Sequence, residues 1–171
     1  MKKVRHVSFD LVNSLSQFPI HMLKGKKIRT ILSSSVGGSL GSLTCDALVS
    51  NLNYLRTLDL SELALNLVPN SIGKLKHLRY LDLSRNKMEI LPNSITKLLN
   101  LQTLKLSDCH SLRELPKDIK RLVNLRNLDI NICIALTHMP LGLGHLTSLE
   151  ILPRFCFESR RFQYPVVLWM G

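Results

Sequence analysis

The chain has 171 residues, and 45% of them are hydrophobic, which is enough for one domain with a buried core. No apolar run approaches the roughly 20 residues of a membrane-spanning helix, and the start MKKVRHVSFD lacks the apolar segment of a secretory signal. The formal net charge of +11 is concentrated at the ends, since residues 1–30 hold seven basic residues and one acidic residue. We therefore expect neither a membrane-spanning protein nor a secreted precursor.

The cysteines indicate a reducing compartment. Four are present, with no CxxC pair among them, and no Asn-x-Ser/Thr glycosylation sequon occurs. Secreted domains of this size often carry one or both features. We therefore expect a cytoplasmic, intracellular location.

The N-terminal part, residues 1–51, predicts one or two irregular coils. Residues 4–9 (VRHVSF) and 28–32 (IRTIL) have the pattern of strands. Residues 33–44 (SSSVGGSLGSLT) read as a Gly/Ser loop without a core of its own. Residues 46–52 are predicted to form a helical turn that leads into the first regular unit.

A repeat of 23 or 24 residues then dominates the chain, about a fifth of which is leucine. The units begin at Leu52, Leu75, Leu98, Leu122 and Leu146. One complete unit reads LKHLRYLDLSRNKMEILPNSITKL, in which an apolar residue and a proline follow the strand-like LxL. This spacing is the signature of a leucine-rich repeat.

The repeat predicts an α/β solenoid. Short parallel strands would form its concave face, irregular or 3-10 turns its convex face, and the leucines a continuous core between them. Residues 52–153 hold four regular repeats and the start of a fifth. Residues 154–171 carry no repeat pattern, and we expect this tail to be disordered. We also expect the last coil to expose Leu146, Leu149 and Leu152, because no polar capping unit follows.

The residue eleven positions after each starting leucine should satisfy the turn that follows the strand. Asn86 can bond backbone N–H and C=O groups there, and a cysteine thiol is a smaller substitute at Cys109 and Cys133. Those two cysteines should stack in neighbouring coils, as buried thiols or, less simply, as a disulfide or metal pair. Leu63 departs from the pattern, which predicts a looser turn.

No catalytic pattern emerges. The chain lacks GxxxxGK[ST] and Gly-x-Ser-x-Gly, and its six histidines have no partners at metal-ligand spacing. We therefore expect a protein that is not an enzyme and binds no metal or cofactor.

The outward strand residues of the repeats are the candidate binding surface. They are Thr57, Asp59, Ser61, Tyr80, Asp82, Ser84, Thr103, Lys105, Ser107, Asn127, Asp129 and Asn131. A merely solvated face is the simpler interpretation, because fold alone says nothing about a ligand. A protein-binding face is favoured by Tyr80, the one aromatic residue of the set, and by the repulsion of Asp59 and Asp82, which a basic partner would relieve.

Nucleic-acid binding would need a clustered basic stripe, and the repeats show none in the sequence. The densest basic cluster lies at residues 24–29 and reads as a solvated loop. We therefore expect protein partners rather than nucleic acid.

The amino-acid sequence of the repeats resembles one protein family more closely. RHVSF, IRTIL, LRTLDLS, VPNSIGKLKHLRYLDLS, LQTLKLSDCHSLRELPKDIKRLVNLRNLDI and LTSLEILPRF follow one another in order. This run is similar to plant intracellular nucleotide-binding leucine-rich-repeat disease resistance proteins of the coiled-coil type. The match covers residues 3–155.

The resemblance implies a role in plant defence as a fragment of the early repeats, which restrain a nucleotide-binding switch and contribute to recognition of a pathogen effector. Implied partners are the receptor's nucleotide-binding domain, an effector or a guarded host protein. ATP or ADP is expected only in that nucleotide-binding domain, so no residue of this chain is assigned to a cofactor. A stand-alone cytosolic leucine-rich-repeat signalling scaffold is the alternative.

Overall fold

The computed structural model describes residues 4–9, 27–33 and 42–150. Within them, six short strands form one parallel sheet in which each strand pairs with the next along the chain. The strands are β1 (His6–Phe9), β2 (Thr30–Ser33), β3 (Thr57–Asp59), β4 (Tyr80–Asp82), β5 (Thr103–Lys105) and β6 (Asn127–Asp129). Helix α1 (Ser42–Asn51) lies between β2 and β3, and the 3-10 helices are η1 (Asn70–Lys74), η2 (Asn93–Lys97), η3 (Ile119–Arg121) and η4 (Leu141–His145). This arrangement confirms the predicted solenoid of parallel strands and 3-10 turns.

Each coil turns into its strand through a tight turn closed by its own leucines. In the first regular coil the Leu55 N–H donates to the carbonyl of Leu52 at 3.1 Å, and the corresponding bond recurs in every later coil. The strand leucine, Leu58 in this coil, then points inward and is fully buried, as are its register partners in β4, β5 and β6. The residues between the leucines therefore face outward at the same place in every coil.

A proline sets the start of three of the four 3-10 helices. Pro69, Pro92 and Pro140 are the N-cap residues, and their extended φ and ψ angles end the preceding segment. The Pro69 carbonyl accepts from the Ile72 N–H at 3.1 Å, which closes the first turn of η1. The apolar–proline pair of the repeat thus marks where each coil begins its return.

Asn86 joins two coils at the turn that follows the strands, as the sequence predicted. Its side-chain oxygen accepts from the Leu65 N–H at 2.9 Å, and its amide nitrogen donates to the carbonyls of Leu60 and Leu83 at 2.8 Å each. The same nitrogen lies 3.2 Å from the carbonyl oxygen of Ser84. Asn86 therefore also satisfies the turn of the preceding coil, where Leu63 offers no polar atom.

Cys109 and Cys133 occupy the position of Asn86 in the next two coils. Their thiols donate to the carbonyls of Leu83 and Leu106 at 3.3 and 3.1 Å. Both cysteines are free, and burial raises the pKa of Cys109 to about 11 and that of Cys133 to about 12. They act as neutral thiols, buried at Cys109 and partly buried at Cys133, which is the simpler of the two interpretations.

A column of left-handed residues, which the sequence did not reveal, precedes the Asn/Cys column. Glu62, Arg85, Asp108 and Ile132 all have φ between 57° and 59°, although none is a glycine. This backbone conformation places Arg85 between its neighbours, and it pairs with Glu62 on one side and with Asp108 at 3.4 Å on the other.

Several sequence-based boundaries differ in the structure. The two N-terminal strands begin two residues later than predicted, and α1 begins inside the expected Gly/Ser loop. The expected exposure of Leu146 is wrong, because its side chain is only 5% exposed and joins the hydrophobic core, while Leu149 is partly buried against that core. Leu152 and the tail at 154–171 lie outside the described residues, as does most of the segment between the first two strands.

The described residues contain no helix that is both long and apolar enough to cross a membrane.

Replacing Asn86 by alanine should lower the free energy of unfolding by about 2–4 kcal/mol, because the Leu65 N–H and the Leu60 carbonyl lose this partner and the Leu83 carbonyl keeps only the Cys109 thiol. Asn86→Cys should cost less, since a thiol serves at the same position in the next coils. Urea unfolding followed by circular dichroism measures both, with the exposed Asn66→Ala as control. Equal effects of Asn86→Ala and Asn66→Ala would contradict the role of Asn86.

Gly73 allows η1 and η2 to pack closely. A Cβ at Gly73 would lie 2.7 Å from the backbone oxygen of Ser94, whereas one at Gly144 meets nothing within 4 Å. Gly73→Ala should therefore destabilise the fold by about 1–3 kcal/mol, and Gly144→Ala should be neutral or slightly stabilising. Thermal unfolding of the two single variants measures both effects. An unchanged unfolding temperature in Gly73→Ala would show that the coils can separate at little energetic cost.

Candidate protein-binding surface

The predicted surface residues come together in three columns on the outward face of the sheet, which we call the strand face. The strand register places Thr57, Tyr80, Thr103 and Asn127 side by side. It likewise aligns Asp59, Asp82, Lys105 and Asp129. Ser61, Ser84, Ser107 and Asn131 follow at the strand ends. Most of these side chains are partly exposed, but Asp82 and Ser84 are buried at 8% exposure each.

The aspartates of the second column stabilise the fold itself. Asp59 accepts hydrogen bonds from the Ser61 N–H at 2.9 Å and from the Ser61 hydroxyl at 2.7 Å. The Asp82 carboxylate accepts from the Ser84 N–H at 3.0 Å. Asp129 makes the corresponding bond to the N–H two residues later. Part of the hydrogen-bonding capacity of this column therefore caps strand ends and is not free for a ligand.

Tyr80, Asp82 and Lys105 form a closed cluster at the centre of the strand face. The Tyr80 hydroxyl donates to Asp82 Oδ2 at 3.0 Å. Lys105 Nζ lies 3.9 Å from the same oxygen and 5.7 Å from the Tyr80 ring centroid. Asp59 and Asp82 do lie on adjacent strands, as predicted, but Lys105 already supplies a cation to Asp82 from within the chain. An external basic partner is thus not needed at Asp82.

A column of arginines borders the strand face where the chain enters each strand. The column consists of Arg5, Arg29, Arg56, Arg79, Gln102 and Arg126, and Glu150 takes the next place in it. Backbone hydrogen bonds hold these positions side by side, with the Arg56 N–H on the Arg29 carbonyl at 2.7 Å and the Arg79 N–H on the Arg56 carbonyl at 2.8 Å. The repeats therefore do carry a row of basic residues, contrary to the expectation from sequence. In the sequence, this row is visible as the arginine in second place of the segments LRTL, LRYL and LRNL.

Arg56 and Arg79 are the exposed, uncompensated centre of this arginine column. Both side chains are exposed, and no ion pair to either occurs within the described part of the chain. Arg126, by contrast, lies 3.7 Å from the carboxylate of Glu150. Positive charge without a partner is therefore concentrated beside β3 and β4.

The turn corners next to the arginines carry a stacked column of cationic and aromatic side chains. Lys27 Nζ lies 5.5 Å from the centroid of the Tyr54 ring. The rings of Tyr54 and His77 are parallel within 2°, with centroids 6.3 Å apart. Tyr54 is half exposed, so this column presents an aromatic surface as well as positive charge.

The described residues contain no group of three or more His, Cys, Asp or Glu side chains that could hold a metal ion. An open depression is lined by Arg85, Asn86, Lys87, Asp108, His110 and Ser111. Two of its charged groups, Arg85 and Asp108, are paired with one another at 3.4 Å, and His110 lies 4.0 Å from Asp108.

A family model described as a leucine-rich repeat region matches residues 33–166, most of the chain. The chain belongs to the leucine-rich repeat family. Domains of this family generally act as protein-interaction modules, and the fold is typically a non-catalytic scaffold.

Solved leucine-rich repeat structures share the fold. A leucine-rich repeat protein of Leptospira interrogans is 31% identical, with a TM-score of 0.66 over 78% of this chain and 32% of its own. The ectodomain of the Arabidopsis thaliana receptor kinase GASSHO1/SCHENGEN3, solved with CASPARIAN STRIP INTEGRITY FACTOR 2, is 24% identical, with a TM-score of 0.60 over 86% of this chain and 21% of its own. The functional domain of Listeria monocytogenes InlJ, which includes a cysteine ladder, is 19% identical, with a TM-score of 0.60 over 84% of this chain and 33% of its own.

The chain spans about a third or less of the length of these three proteins. No curated protein matches it by sequence.

The central cluster makes a prediction about Tyr80. Burial, and then the Asp82 carboxylate, raise the pKa of Tyr80 above its usual value of 10.0, while Lys105 acts in the opposite direction. Asp82→Asn should lower this pKa and Lys105→Met should raise it. Tyrosinate absorbance, taken as the difference between each protein and its Tyr80→Phe counterpart, measures the shift.

The same pKa fixes the sign of a pH effect on stability. A tyrosine whose pKa is higher in the folded state ionises first in the unfolded chain, so its contribution is complete below pH 10 and is lost as pH rises above that value. The free energy of unfolding should therefore fall less steeply above pH 10 in Tyr80→Phe than in the wild type. Titration of Tyr80 below pH 10 would contradict the cluster.

Proposed function

We propose that this leucine-rich repeat domain is a protein-interaction module that docks a partner protein on its strand face and arginine column. The observation that carries the proposal is the pair Arg56 and Arg79, which are exposed, have no ion-pair partner within the described residues, and lie beside a row of hydroxyl and amide side chains. Arginine is over-represented among the residues that dominate binding energy, and its planar fork pairs carboxylates in two-point contacts. Like charges placed side by side repel one another, so they destabilise a face that contacts only solvent.

The resemblance of the repeats to plant disease resistance proteins suggests the biological setting. In this proposal the chain corresponds to the early repeats of a cytoplasmic immune receptor and serves the defence response. Its partner is then the nucleotide-binding domain that the repeats restrain, or an effector or guarded host protein. ATP or ADP would bind to that other domain, and this chain would perform no catalysis.

The proposal is tested by measuring binding to purified nucleotide-binding domains from plant receptors of the coiled-coil type. Arg56→Glu/Arg79→Glu should weaken binding about tenfold or more at 50 mM salt, because two attractions become repulsions. The effect should shrink as salt rises, since exposed charges are screened. Biolayer interferometry with the full chain gives both numbers.

Lys87→Glu/Lys117→Glu is the matched control, because it makes the same change of net charge at exposed lysines away from the strand face. Thermal unfolding confirms that both double variants fold. Equal loss of binding in the two double variants would show that the effect depends on net charge alone. The arginine column would then have no specific role in binding. If no nucleotide-binding domain binds at all, the immune-receptor setting falls and the stand-alone signalling scaffold takes its place.

A further inference from the structure

The strand face carries a second charged row parallel to the arginine column. In β3, β4 and β6 an aspartate follows the arginine by three residues, as in Arg56 and Asp59. Among the four coils that hold β3 to β6, only the coil of β5 departs from this rule, with Gln102 in the arginine column and Lys105 in the aspartate row. That coil is neutral where its neighbours are positive and positive where they are negative.

The spacing of the two rows matches the dimensions of an α-helix. Three residues of strand span about 10 Å, and a helix with its side chains is about 10–12 Å wide. Neighbouring coils are about 4.8 Å apart, which corresponds to about three residues of helix rise. A helix lying across the strands over Thr57, Tyr80 and Thr103 would thus have one flank above the arginines and the other above the aspartates.

We propose that the occupant of the strand face is a charge-striped helix of a partner protein, and that the β5 coil sets its register. The helix carries acidic residues on the flank above the arginine column and, on the opposite flank, basic residues above the partly exposed Asp59 and Asp129, since Asp82 is buried and paired with Lys105. Above Lys105 the basic flank is interrupted by one acidic residue. This inference rests on the proposed function, since it names the chemistry of the partner at that same surface.

A residue that differs from its counterparts in the other coils is needed to fix the register of a ligand on a repeated surface. If all coils carried the same pair of charges, a striped helix could slide by one coil and meet the same contacts again. Lys105 removes this degeneracy, because a slip by one coil brings a lysine of the helix against it. A single exceptional position sets the register of coiled coils in a similar way.

The observations favour a protein over nucleic acid as the occupant. A polyanion on the arginine column would lie about 10 Å or less from the carboxylates of Asp59 and Asp129, which repel it. The turns that lead to the arginine column in the β5 and β6 coils also expose the apolar Leu99 and Val123, which are 51% and 57% exposed. Adjacent exposed apolar side chains suit a protein partner and give a phosphate backbone nothing to bind.

The test uses the full chain and two synthetic stapled helices of 21 residues. Both carry glutamates along one flank and lysines along the other, and the marked helix has one glutamate in place of the central lysine. A terminal photo-cross-linker reports the coil on which each helix ends. We expect the marked helix to bind the wild type about fivefold tighter than the uniform one by fluorescence anisotropy, because one repulsion becomes an attraction.

The decisive variant is Gln102→Arg/Lys105→Asp, which gives the β5 coil the charges of its neighbours. The preference should invert, and the cross-links, confined to one coil in the wild type, should spread over several. Lys117→Gln has the same net charge as this variant and should keep the wild-type preference. Moving the glutamate by one helical turn should move the cross-link on the wild type by one coil.

Three results would overturn the inference. The first is an affinity ratio that is the same in the wild type and in Gln102→Arg/Lys105→Asp, and the second is a failure of both helices to bind the wild type. The third is equal or tighter binding of a single-stranded oligonucleotide of 21 thymidines, which would make the column a nucleic-acid surface. Binding to nucleotide-binding domains is measured separately, so a failure of the striped helix is distinguished from a failure of the proposed immune-receptor setting.

Discussion

The structure depends on one requirement, that the leucines of each coil be buried by the coils on either side of it. A unit of 23 or 24 residues has too few apolar side chains to enclose its own core, so each unit is stable only against its neighbours. Leu58 and Leu81 are fully buried because they lie in register on adjacent strands. The same requirement draws Leu146 into the core, although it begins a unit that is only partly described.

Stacking by burial has a consequence for every outward position. Once the leucines are in register, all other residues of the unit are in register too, and chemistry repeated along the sequence becomes a row in space. The arginines are brought together in this way, at backbone hydrogen-bond distances of 2.7 and 2.8 Å for Arg56 and Arg79. The cost is repulsion between like charges, which a protein would not accumulate for the sake of its own stability.

The polar rows are not all available to a partner. Asp59, Asp82 and Asp129 accept the N–H two residues ahead and so hold the ends of their strands, while Lys105 is shared between Asp82 and the Tyr80 ring. Within the described residues, Arg56 and Arg79 have no such internal task. The two roles are therefore separated by position, since the aspartates hold strand ends and Arg56 and Arg79 supply unpaired charge at the border of the strand face.

The sequence by itself determined the solenoid, the inward leucines, the linking role of Asn86 and the membership of the predicted surface residues in common columns. These follow from a period and an alternation, which local backbone geometry converts directly into position. Only the tertiary structure decided that Asp82 is neutralised from within, that Glu62 and Arg85 adopt left-handed backbone, and that arginines scattered 23 or more residues apart form one row. Each of these features depends on contacts between coils. The electrostatic energy of a charged side chain is set by its nearest neighbours in space, and in a solenoid those neighbours belong to other repeats of the sequence.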